Sequence, residues 1–378
     1  MENINWLDEK NHLLLNDKLT DTQVSFWTSA FEFAVKKNKT LGSIFLLTSG
    51  TSGTQKLVCL SKDAILSSSK SVNKHLGVSE GDRWLNTLPP HHIGGLSIYA
   101  RAFLSKSKVD AIEFWDPTIY YQLLKTSYIS YSSLVPTQVY DLLELEEMAP
   151  KNVKTIVVGG SRLSSNLYQK AKKFEYPVVC SFGATELASQ IATSTIGDER
   201  LKILPHIEAK LGTNNTLHLR SPSLFSYYVK SVDDQFIIEH PKLEDGFFIT
   251  EDHTKIEDGY LIPQGRSSEY VKILGEAVSL VKVERDFETS SNFPFCIIAN
   301  PHERNGYELS LVCETKDATA AVSAVQSWNK SCIGFERITS VSTKEMLPRN
   351  DLGKISKKII EHDIEKGNLS IQRVLTED

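Results

Sequence analysis

Residues 48–56, TSGTSGTQK, constrain this chain more than any other stretch. A short apolar run at 44–47 has strand character and empties directly into nine residues, of which seven are Thr, Ser or Gly and the last is Lys. Such a composition builds a phosphate cradle. Gly50 and Gly53 let the backbone approach a polyphosphate without Cβ obstruction, the hydroxyls and amides of Thr48, Ser49 and Thr51 supply uncharged donors, and Lys56 adds a compact positive charge. Composition alone would also suit a plain Ser/Gly-rich surface loop. The strand before it and the partners further down the chain favour the cradle. A Walker loop is excluded, because Thr54 and Gln55 separate Gly53 from Lys56 where that motif needs Gly-Lys-Ser/Thr. A kinase or GTPase reading loses its main support with it.

At 378 residues the chain is long for one core, so two domains are expected. A net charge of -5 argues against general nucleic-acid or membrane-surface binding and leaves small anionic substrates open. No run reaches membrane-spanning length and the first residues are polar. The five cysteines lack paired metal spacing and read as reduced, mostly buried thiols of a cytoplasmic protein.

Residues 20–37 place Val24, Trp27, Phe31 and Ala34 at helical spacing. After the loop, residues 57–60 read as a second strand, and Ser61 as the N-cap of a helix that Gly77 ends. In WLNTLPPHHIGGLSIYARAFL, residues 84–104, a loop of special geometry leads into a buried helix. His92 there would ordinarily be a satisfied core residue. Arg101 sits among Ile98, Tyr99, Ala102, Phe103 and Leu104, and a guanidinium on apolar surface needs an anion, either a protein carboxylate or part of a ligand.

From Lys108 strand and helix alternate: strands at 128–135, 155–158 and 177–181, helices at 136–145 and 164–174. This βαβ pattern implies a parallel sheet whose ligand side lies at the carboxyl ends of its strands, where Gly159-Gly160-Ser161 and Phe182-Gly183-Ala184-Thr185-Glu186 fall. Glu186 beside a triphosphate would need a divalent cation between them, hence Mg²⁺. Beyond Ile207 the texture becomes that of an antiparallel sheet or small barrel, with Asp252 at a hairpin or strand end and able to accept both hydroxyls of a ribose. Arg266 precedes Ser267-Ser268, a flexible joint that divides the chain into 1–266 and 267–378. The fold expected is α/β: a large domain of parallel-rich sheets with a small antiparallel sheet or barrel, followed by a small mobile α+β domain.

These stretches, in this order, resemble the adenylate-forming superfamily of acyl-CoA synthetases, amino-acid-activating domains and luciferases. The resemblance runs over residues 47–360 and rests on TSGTSGTQK, the GGS turn, SFGATE, Asp252 in ITED, Gly265-Arg266 leading to Lys272 and Gly275-Glu276, and residues 348–354. Within it, LPPHHIGGLSIYAR and SFGATELASQIAT are most similar to the o-succinylbenzoate CoA ligase branch of menaquinone biosynthesis. The resemblance implies ATP, Mg²⁺ and CoA, and conversion of a small carboxylate first to an acyl adenylate and then to a thioester. It implies that Thr48, Ser49, Gly50, Thr51 and Lys56 hold the β and γ phosphates, Thr185 the α-phosphate, and Glu186 the Mg²⁺. Gly160 and Ser161 would line the adenine slot, and Asp252 and Arg266 the ribose.

Lys354 would serve adenylation, and Lys272 thioester formation after the small domain turns on a hinge at Ser268. His92, Arg101, Gly183 and Ser189 would line the acyl pocket, with Arg101 on a second carboxylate or keto oxygen. Three departures accompany this: Gln55 for the usual Pro, Ser268 for the usual hinge Asp or Lys, and Leu274 at a usual Gly. Only 47 residues precede the loop, so a reduced front subdomain is expected, and a homodimer contact would compensate. Rival readings are a ligase for another aryl or fatty acid, a carrier-protein loading enzyme, and an inactive nucleotide-binding protein.

Overall fold

Two apolar runs flanking the hydroxyl-rich loop form the antiparallel pair Ser43–Ser49 and Gln55–Ser61 in the computed structural model, which describes residues 4–49, 55–266, 269–274, 276–350, 353–369 and 372–374. Gly50, Thr51, Ser268 and Gly275 lie outside the described residues. The pair sits in a five-stranded sheet with His12–Leu14 on one side and Tyr227–Val232 and Gln235–Glu239 on the other. Helix Asp21–Asn38 covers it, started by a Thr20 capping box with Gln23. Its buried stripe is Trp27, Ala30 and Ala34. Val24, expected among the core positions, is 38% exposed because that stripe leaves it on the flank.

Helix Lys62–Leu76 follows as expected, with Ser61 accepting from the Ala64 amide and Gly77 closing it at φ 72°. Lys62 is buried and its ammonium bonds the carbonyls of Asn5 and Asp8 and the Asp8 carboxylate, which ties the front segment down.

Strands Lys108–Ala111, Arg83–Asn86, Tyr131–Leu134, Thr155–Val158 and Val178–Ala184 lie parallel in that order. Tyr131–Leu134 and Thr155–Val158 are buried throughout, as strands covered on both faces must be. Helices Pro117–Thr126, Pro136–Leu143 and Ser165–Lys173 contribute Tyr120, Leu142 and Ala171 to that covering core. The strand expected from Tyr128 begins only at Tyr131, because Tyr128 takes a left-handed φ of 51° after the preceding helix ends.

Val178–Ala184 is the pivot of this sheet. It pairs parallel with Thr155–Val158 on one edge and antiparallel with Ser189–Thr195 on the other. The antiparallel strands are thus no separate barrel: they continue the same sheet, twelve-stranded among the described residues, out to Glu208–Leu211. Asp252 lies inside the eleven-residue strand Phe247–Glu257, not at a hairpin end, because the turn comes later, at Asp258-Gly259 with φ values of 49° and 79°.

The chain divides into two compact units: residues up to Thr250 with Ile256–Ile262, and Glu251–Lys255 with residues from Pro263 onward. The second unit holds the hairpin of Tyr270–Ile273 and Glu276–Ser279 and a sheet of Phe295–His302, Gly306–Glu314, Ile338–Lys344 and Gln372–Arg373. Helices Leu280–Phe287, Ala318–Ser331 and Lys357–Glu365 accompany them, with Val283, Phe287, Leu311 and Val325 fully buried in its main core. Leu274 adopts φ 53°, the left-handed conformation its usual Gly would take, at a cost of about 1–2 kcal/mol. Among the described residues no helix is long and apolar enough to cross a membrane.

Candidate active site

Cross-strand register places Lys56. Strand Tyr227–Val232 pairs antiparallel with Gln55–Ser61, with Tyr228 opposite Val58, so Lys56 lies one diagonal step from Tyr228 on the same face. The Lys56 ammonium sits 3.5 Å from the centroid of the Tyr228 ring and 3.5 Å from Oε1 of Glu186. Glu186 is carried by the short turn Thr185–Leu187 that follows the pivot strand, and its Oε1 also accepts from the Tyr228 hydroxyl at 2.8 Å. Thr185, Glu186 and Lys56 thus share one corner of the first unit, next to the ends of strands Ser43–Ser49 and Gln55–Ser61. Thr48 pairs with Lys56 across that hairpin.

Among the described residues no group of three acidic, His or Cys side chains could hold a metal. A lone carboxylate does suit Mg²⁺, which keeps its waters and shares phosphate oxygens. The Tyr228 hydroxyl and the Lys56 ammonium both approach Glu186 at Oε1.

At the end of strand Thr155–Val158, Gly160 takes φ 84° and Ser161 is exposed. The next group surrounds Arg101, on helix Ile93–Ser105, whose side chain is 1% exposed. Its Nη2 donates to Ser189 Oγ at 3.1 Å, Ser97 Oγ lies 3.4 Å from that hydroxyl, and the guanidinium stands 5.7 Å from the Trp84 ring centroid. Its Nε has no hydrogen-bond partner and no carboxylate pairs with it among the described residues, so burial alone pushes its pKa down to about 9. Among the described residues, then, no side chain supplies a counter-anion for this cation.

Backbone strain presents the Ser189 hydroxyl. Ala188 and Ser189 hold φ values of 51° and 119°, which cost about 1–3 kcal/mol each. Gly183 is required opposite them, since a Cβ there would fall 2.0 Å from the Ser189 carbonyl oxygen. Gly183, Ser189 and Arg101 are therefore brought together. His92 is the N-cap residue of the Arg101 helix, its ring 4.5 Å from that of His91.

In the second unit, Asp252 Oδ1 accepts from Arg266 Nε at 2.9 Å. The Arg266 amide donates to Glu269 at 2.7 Å. Lys354 follows Gly353 at φ 71°, and its amide and carbonyl both bond Asn350. Burial lowers the pKa of its ammonium, the Arg266 charge lowers it further, and Glu269 opposes them. The structure thus places Asp252, Arg266 and Lys354 in one electrostatic neighbourhood. Lys272 is exposed on its hairpin, with Ala277 as its strand partner.

Tyr228 escaped sequence reasoning. In LFSYYVK the adjacent aromatics read as strand core, and only the register with Gln55–Ser61 reveals the neighbour it meets.

The comparisons with known proteins give the family to which this fold belongs. The profile of the AMP-binding enzyme family matches residues 10–223, more than half of the chain, and the chain belongs to that family. The 2-succinylbenzoate--CoA ligase of Staphylococcus epidermidis is 29% identical over 216 residues, covering 55% of this chain and 45% of that protein. The enzyme of the same name from Listeria monocytogenes serotype 4b is 28% identical over 340 residues, covering 82% and 68%. The chain thus spans between about half and two thirds of the length of these relatives. The o-succinylbenzoate coenzyme A synthetase of Bacillus subtilis, solved with ATP and magnesium ion, superposes with a TM-score of 0.72 over 84% of this chain and 69% of that one, at 20% identity, a likeness of fold.

Proposed function

We propose that this chain activates a small carboxylic acid with ATP, forming an acyl adenylate that the thiol of CoA then converts to a thioester, with o-succinylbenzoate as the foremost substrate. Arg101 carries the reading. A desolvated guanidinium with hydroxyl neighbours and no carboxylate beside it among the described residues is matched by an acid bearing a second anionic group. The names of the relatives point to the same acid.

In the first step a carboxylate oxygen attacks the α-phosphorus and pyrophosphate leaves. In the second the thiolate attacks the acyl carbon and AMP leaves. The phosphoryl step asks the protein for positioning and charge compensation. Thr48, Ser49, Gly50, Thr51 and Lys56 take the β and γ phosphates, Thr185 the α-phosphate, Gly160 and Ser161 the adenine, and Asp252 with Arg266 the ribose. Glu186 would hold Mg²⁺, which when bound offsets the charge building on the phosphate oxygens. Lys354 attends the carboxylate during adenylation, and its depressed pKa fits an ammonium set beside another cation and awaiting an anion. His92 stands at the reacting carboxylate, Lys272 serves the thioester step, and Ser268 is the hinge between the segments 1–266 and 267–378.

The test is a panel of carboxylic acids, o-succinylbenzoate first, in ATP–pyrophosphate exchange and in CoA thioester formation read by mass. Exchange that depends on o-succinylbenzoate and exceeds that of benzoate and fatty acids supports the reading. Exchange with another acid alone reassigns the substrate. ATP binding without turnover of any acid makes the chain a nucleotide-binding protein instead.

A further inference from the structure

We propose that Tyr228 is a positioning residue that sets both charged partners of the triphosphate, Glu186 through its hydroxyl and Lys56 through its ring. The proposal rests on the nucleotide reading above, and no motif in the sequence pointed to it. The Tyr228 hydroxyl donates to Glu186 Oε1 at 2.8 Å. Lys56 approaches the same oxygen at 3.5 Å while lying 3.5 Å from the ring centroid. Two partners on one oxygen restrict rotation of the carboxylate. A carboxylate held in one orientation suits Mg²⁺, which takes one or two carboxylates together with phosphate oxygens.

The ring is itself held. Phe225 packs 4.3 Å from it, and Tyr228 is 8% exposed, so hydroxyl and π face cannot wander. A face-on aromatic attracts an ammonium. It keeps Lys56 near where the phosphates arrive without a full carboxylate pair.

A consequence follows for binding. Lys56 and Glu186 partly neutralise each other before the nucleotide enters. Anionic triphosphate draws Lys56 off Oε1, and the neutral hydroxyl of Tyr228 then remains to orient Glu186 for Mg²⁺. The hydroxyl should therefore act on the metal and the ring on the nucleotide.

Calorimetric binding to the full chain separates these roles without requiring turnover. Tyr228→Phe keeps the ring and its packing, so folding is not at risk. It should weaken the Mg²⁺ dependence of ATP binding by about tenfold, the size of one hydrogen bond to a charged group, while metal-free ATP binds as in wild type. Tyr228→Leu should in addition weaken metal-free ATP binding by about threefold. Identical Mg²⁺ dependence in wild type and Tyr228→Phe overturns the inference and leaves the nucleotide reading intact. Failure of the wild-type chain to bind ATP with or without Mg²⁺ overturns both.

Discussion

Arg101 and the cluster of Asp252, Arg266 and Lys354 handle positive charge in opposite ways. Arg101 is enclosed, bonded to a neutral serine and, among the described residues, given no anion. Arg266 keeps 41% of its side chain exposed and has the Asp252 carboxylate at 2.9 Å. The Asp252 side chain is only 12% exposed, so this pair is half-buried, and its two charges offset each other without a ligand. An enclosed cation without a partner is costly, and a chain that retains one points to something that arrives from outside. Lys354 belongs between these cases: burial and the Arg266 charge lower its pKa, and Glu269 opposes them.

The largest effect expected is at Lys354. Lys354→Ala should lower acid-dependent pyrophosphate exchange by about a thousandfold, as loss of a transition-state cation does, and spare thioester formation from preformed acyl adenylate. Equal loss of both steps would remove Lys354 from the first.

Next comes Arg101→Leu. Losing an ion pair with the second carboxylate should cost about 2–5 kcal/mol in kcat/KM for o-succinylbenzoate and leave the Kd for ATP unchanged. The same change should raise the melting temperature, because an unpaired buried charge gives way to apolar volume. A variant that keeps its activity, or one that unfolds, would make Arg101 a structural residue.

A smaller effect is expected of Asp252→Ala, about tenfold in KM for ATP through the lost ribose acceptor. Its stability should fall by less than about 1 kcal/mol, since Arg266 is left in water. Strong unfolding in denaturant titration would show that the pair belongs to the core.

The smallest is a pH effect. The folded-state pKa of Lys354 lies below its ordinary 10.5, so below the folded value both states are protonated and the folded chain bears the full cost of the buried charge. Between the two values the unfolded chain holds more protons, and stability gains with rising pH. Melting curves across that window should show this gain in wild type and not in Lys354→Met.

The sequence made the strand–loop–strand at Lys56, the parallel pattern and the Gly183, Glu186 and Arg101 stretches legible, because each rests on short-range composition. It placed Asp252 at a hairpin or strand end, since only pairing partners show that the strand runs on to Glu257. Tyr228 was hidden because its meaning lies in the register between strands some 170 residues apart. That no described carboxylate lies beside Arg101 could not be read either, for the sequence offered a protein anion and a ligand anion equally. Leu274 shows the converse: a residue foreign to its usual position still takes the left-handed backbone.

The central claim is that a carboxylate oxygen attacks the α-phosphorus, and an oxygen label tests it most directly. With o-succinylbenzoate carrying ¹⁸O in its carboxylates, ATP, Mg²⁺ and CoA, the account predicts one ¹⁸O atom in each AMP released and none in pyrophosphate. Label in phosphate or pyrophosphate, or thioester formed beside unlabelled AMP, would contradict it.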